Sequence, residues 1–98
     1  MENHYMVELD LLADESFLQG DLEVEINALI NYFRNSGKMV SMGLSLDDAV
    51  MWLVLKSENE EELVELIFNI PSKHEISFDY YLLNHFEIIQ EIGSFSLN

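Results

Sequence analysis

Ala49-Val-Met-Trp-Leu-Val-Leu55 is the longest unbroken apolar run in the chain, and its reading decides the fold. Spanning a bilayer takes about 20 apolar residues, so this run is far too short for that. It suits a central strand covered on both faces, although a buried helix can carry the same letters. Just before it, Met39 to Leu44 forms another extended candidate, and Ser45-Leu46-Asp47-Asp48 between the two has the polar residues that close a hairpin turn.

Toward the N-terminus, Leu22, Ile26, Leu29, Ile30 and Phe33 recur along one helical face. Gly37 is placed to end that helix, because glycine takes the left-handed conformation that satisfies the last carbonyls, and Arg34 and Lys38 lie near the negative end of the dipole. Further upstream, Tyr5-Met-Val-Glu-Leu-Asp-Leu11 alternates, with Tyr5, Val7, Leu9 and Leu11 on one side and Met6, Glu8 and Asp10 on the other, as in a half-buried strand. Downstream of the apolar run, Ser57 stands three residues before Glu60, the capping-box spacing, and Glu58, Glu60, Glu61 and Glu62 crowd the first turn, where the helix dipole favours negative charge. Leu63, Leu66, Ile67 and Ile70 form the face of this second helix, and Pro71 ends it. Alternation then returns. Ile76, Phe78, Tyr80 and Leu82 share one face and Ser77, Asp79, Tyr81, Leu83 and His85 the other, with Phe86 to Ile89 prolonging the strand or beginning a tail.

The order β-α-β-β-α-β, closed by right-handed crossovers, predicts an α+β ferredoxin-like fold: an antiparallel sheet of strand order 4-1-3-2 with two helices on one face. One domain is expected over residues 1–98, with a core at about 5–89 and a short C-terminal tail at 90–98. The opposite sheet face would then be bare, yet the third strand is apolar on both sides. Exposing two or three large aliphatic side chains, at roughly 1.5 to 3 kcal/mol each, would consume much of a stability of about 5 to 15 kcal/mol. A homodimer sandwiching the two open faces is the expected resolution.

Composition limits the function. Four Lys+Arg against 19 Asp+Glu give a formal charge of −15, which opposes attachment to nucleic acid and to anionic membrane surfaces. Cysteine is absent, so no disulfide or thiolate chemistry is available. Met1 to Tyr5 lacks the basic start and apolar stretch of a signal peptide, so a cytoplasmic location is expected.

Gly37-Lys-Met-Val-Ser-Met42, Ala49 in the following strand, Ser57, Glu62-Leu63-Val-Glu-Leu66, Ile70-Pro71 and a closing strand together resemble the muconolactone isomerase family over about Tyr5 to His85. The resemblance implies a dimeric α/β barrel that holds a small organic molecule and isomerises it by proton transfer. It carries scaffold positions rather than catalytic ones. The family's second strand has a tryptophan flanked by arginines, whereas this one reads Met39-Val-Ser-Met-Gly-Leu-Ser45, and Trp52 lies in the strand after it.

Strand order 4-1-3-2 makes the first and fourth strands neighbours, so Glu8 and Asp10 are expected to face Asp79, Tyr81 and His85 on the open face. A proton shuttle needs a base near neutral pKa, and a carboxylate partly desolvated beside another carboxylate moves toward that range. Glu8, Asp10, Asp79 and His85 are therefore the catalytic candidates, and Tyr81, Trp52 and Met51 the ligand-binding ones. The same residues also read more simply: the carboxylates as solvated strand positions, Tyr81 as interface packing, and Trp52, Met51 and Met42 as core. Three carboxylates and an imidazole can bind a divalent cation, but no sequential ligand motif supports a metal, and no phosphate loop or nucleophile elbow supports a cofactor. Two alternatives to an isomerase-like protein stand beside it. One is a dimeric binding or assembly module without catalysis, the other an acidic protein that occupies a basic surface.

Overall fold

The computed structural model describes residues 2–11, 22–71 and 76–86. Six elements follow one another: β1 (Asn3–Asp10), α1 (Leu22–Asn35), β2 (Met39–Ser45), β3 (Val50–Ser57), α2 (Glu60–Phe68) and β4 (Ser77–Leu83). The strands form one antiparallel sheet in the order β2-β3-β1-β4, an α+β arrangement of the ferredoxin-like type. The apolar run at residues 49–55 thus supplies a central strand, paired with β1 on one side and β2 on the other.

Alternation sets the layers. Tyr5, Val7 and Leu9 of β1 and Met51, Leu53 and Leu55 of β3 turn to one side, where they form a single buried cluster with Ile26, Leu29 and Phe33 of α1 and Leu63 and Ile67 of α2. Gly37 adopts φ 74 and its N–H donates to Arg34 O at 3.3 Å, ending α1 as its position in the sequence requires. Lys38, expected to complement the dipole, instead pairs with Glu2 and Glu62.

Four local expectations change. The second helix is not capped by Ser57, because β3 runs through that residue in register with Asn3. Ser57 is buried and its hydroxyl donates to Asn59 O at 2.9 Å, while Asn59 is the N-cap, its Oδ1 accepting the Glu62 N–H at 2.8 Å. Secondly, the β2–β3 turn takes in Ala49 rather than Ser45; Ala49 sits at φ 50, and its carbonyl accepts the Leu11 N–H at 2.9 Å. Thirdly, α2 stops at Phe68, ahead of Pro71, with Asn69 as C-cap. Lastly, β4 ends at Leu83, so His85 lies past a bend and off the strand. The expected tail at 90–98 lies outside the described residues.

Candidate functional site

Because side chains opposite one another in a ladder share a face, the strand register lays out the open side of the sheet in rows. Ser41, Val54, Met6 and Tyr81 form one row across all four strands; Gly43, Trp52, Glu8 and Asp79 form the next, and Ser45, Val50, Asp10 and Ser77 the third. On the other side of the Met6 row stand Lys56, His4 and Leu83. The centre is apolar: Val54 is buried, Met6 and Trp52 are half-buried, and Tyr81 is 55% exposed. Trp52 extends over Gly43, where an added Cβ would come within 3.9 Å of the indole.

Of the seven site residues expected from the sequence, Glu8, Asp10, Asp79, Tyr81 and Trp52 come together on this face. Glu8 and Asp79 are direct cross-strand partners. Like charges set opposite each other destabilise a sheet, so this pair is a local cost that the fold carries. Glu8, Asp10, Asp79 and Asp48 line a pocket of about 230 Å³ with Val50 and Ser77, at the end of the face farthest from Lys56 and His4. Ser45 Oγ–H donates to Asp48 Oδ2 at 3.1 Å.

Two expected residues are not part of this group. Met51 is fully buried on the helix side of the sheet, between Leu9 and Leu44 in register, so it packs the core and cannot share a pocket with Trp52. His85 is exposed beyond the bend at Asn84, at the opposite end of the sheet from the carboxylates, where Phe86 stacks on His4 with ring centroids 5.1 Å apart. Among the described residues no group of three or more His, Asp or Glu is arranged to hold a metal ion, and no helix is long and apolar enough to cross a membrane.

A second concavity has no counterpart in the sequence reading. A cleft of about 510 Å³ opens between the end of α1, α2 and the end of β3, lined by Tyr32, Lys38, Lys56, Glu62 and Leu66 among others. Lys38 Nζ sits 3.1 Å from Glu62 Oε1 and 3.2 Å from Glu2 Oε2. Its hydrogen bonds to Glu62 and then Glu2 raise the lysine pKa, and the bond from Lys38 lowers that of Glu2. The Tyr32 hydroxyl donates to Leu66 O, and burial raises its pKa. Nothing in the spacing of Glu2, Lys38 and Glu62 signals this contact, since Glu2 precedes β1, Lys38 lies between α1 and β2, and Glu62 lies in α2.

Comparison with known protein families, with curated proteins and with solved structures finds no match for this chain.

Proposed function

We propose that the chain works as a homodimer whose facing open sheets enclose a small organic molecule, with isomerisation by proton transfer as its chemistry. The observation that carries this reading is the juxtaposition on one face of an apolar row, Met6, Val54 and Tyr81, with the next row, where the paired carboxylates Glu8 and Asp79 stand beside Trp52. The apolar centre suits a hydrocarbon framework. A carboxylate pair suits taking a proton from one carbon and returning it to another.

The charge pattern favours one way of pairing two copies. A two-fold axis crossing the strands at the Met6 row brings each copy's His4 over the other's Glu8 and its Lys56 over Trp52, beside Glu8, whereas an axis along β1 stacks Glu8 on Glu8 and Asp10 on Asp10. The first arrangement also supplies a cation to the site. A ligand bearing a carboxylate would need one, because no Lys or Arg lies in the Glu8 or Asp10 row of the single chain.

The test joins mass to chemistry. Sedimentation should give twice the 11.4 kDa chain mass. Incubation with muconolactone in deuterated water should then incorporate deuterium at a rate abolished by Glu8→Gln or Asp79→Asn. A dimer without exchange leaves the second reading, a dimerising module without catalysis. That reading is favoured by the modest size of the acidic pocket, about 230 Å³ against the roughly 300 to 1,000 Å³ usual for ligand sites.

A further inference from the structure

On the helix side of the sheet, α2 and the edge strand β4 leave a groove of about 470 Å³ between them, lined by Glu60, Glu61, Val64, Glu65, Phe68 and Tyr80. Its floor and one wall are aromatic. Phe68 is 74% exposed and meets Phe78 edge-on at 5.9 Å, Phe78 stacks against Tyr80 at 6.3 Å, and Leu82, next along the same face of β4, is 51% exposed. Single exposed apolar residues are ordinary, but a contiguous group rimmed by charge marks an interaction surface. α2 does not need Phe68 for its own packing, since Leu63 and Ile67 are the residues it buries.

The rim identifies the partner. Glu60, Glu61 and Glu65 all stand along one wall, and the last turn of α2 carries no basic residue to offset the negative end of its dipole. Among the described residues, every charged side chain lining the groove is therefore negative. We propose that this groove binds a Lys/Arg-bearing segment of another protein, an apolar or aromatic side chain of which seats among Val64, Phe68 and Tyr80. A second copy of this chain is a poor occupant of this groove, because the chain carries only four Lys+Arg and one of them, Lys38, is already paired with Glu2 and Glu62. The proposal does not depend on the open face, which lies on the other side of the sheet.

Two labelled probe peptides of equal charge, one with leucines at i, i+3, i+4 and i+7 among lysines as an amphipathic helix and one with serine in place of leucine, distinguish groove binding from diffuse attraction. At about 0.15 M salt, fluorescence anisotropy should show the leucine peptide binding at least tenfold more tightly than the serine peptide. Phe68→Ser should remove that margin, and Glu61→Lys combined with Glu65→Lys should weaken both peptides. Phe68 is exposed, so the variant keeps the core; Tyr81→Ser on the opposite face should leave the margin intact. Equal binding of the two peptides, or a margin unchanged in Phe68→Ser, overturns the proposal. So does a fall in sedimentation mass caused by Phe68→Ser, which would assign the groove to a second copy.

Discussion

Tyr81→Ser separates a face that pairs two copies from one that merely faces water. Tyr81 is 55% exposed in the single chain, in the row of Met6 and Val54. A tyrosine offers roughly 150 to 250 Å² to burial, so pairing would remove about 80 to 140 Å² of its surface from water. At about 25 cal/mol per Å² this is worth about 2 to 3.5 kcal/mol. A symmetric interface uses the residue twice, so the variant should weaken self-association by about 4 to 7 kcal/mol, or roughly three to five orders of magnitude in Kd at 1.4 kcal/mol per tenfold. The cost to the isolated chain should stay within about 0.5 kcal/mol, as for other exposed positions. Sedimentation equilibrium over a concentration series gives the first quantity and denaturant unfolding below the dimer Kd the second. A wild-type dimer whose Kd shifts less than tenfold in the variant refutes the pairing of open faces, and a wild type that stays monomeric refutes the dimer itself.

Other consequences are local. Gly37→Ala should cost about 0.5 to 1 kcal/mol in chemical denaturation, because a left-handed alanine loses about 1 to 2 kcal/mol and a stiffer unfolded chain returns part of it, while nothing within 4 Å clashes with the added Cβ. Asn59→Ala should remove about 1 kcal/mol and lower hydrogen-exchange protection first in α2, whose Glu62 N–H loses its partner. Tyr32 holds its proton more tightly folded than unfolded, because burial disfavours the phenolate. Its contribution to stability is therefore intact below the unfolded value of 10.0 and lost as pH rises through the higher folded one. Phenolate absorbance should show Tyr32→Phe removing a late-ionising step; removal of an ordinary or early one contradicts the assignment.

What the sequence reveals here follows the range of the interaction. Strand faces and helix faces are local patterns, so the alternation of Tyr5 to Leu11 and the spacing of Ile26, Leu29 and Phe33 identify the buried sides correctly. Strand order follows from handedness once the elements are known, which brings Glu8 opposite Asp79. Boundaries are decided by competition. Ser57 and Asn59 are both good cap residues, and the ladder to Asn3 claims Ser57 for the sheet. Met51 and Trp52 are adjacent letters in one apolar run, and only the register with Leu9 and Glu8 assigns them to opposite faces. His85 continues the alternation on paper, but β4 stops at Leu83. The Lys38 contacts and the exposed Phe68 depend on where elements meet in space, and no periodicity encodes that.

The two surfaces are linked by the sheet that separates them. Pairing of open faces turns the helix layers of both copies outward, so each α2–β4 groove stays accessible and the dimer presents two of them. A partner carrying two basic segments would then meet two sites at once, and the second attachment would be governed by effective concentration rather than by free partner. Tyr81→Ser, by separating the copies, should leave the affinity for a single peptide unchanged yet lower the affinity for a tethered pair of peptides toward the single-site value. If instead the tethered pair binds the monomeric variant as tightly as the dimer, the avidity arises within one chain and the two surfaces act independently.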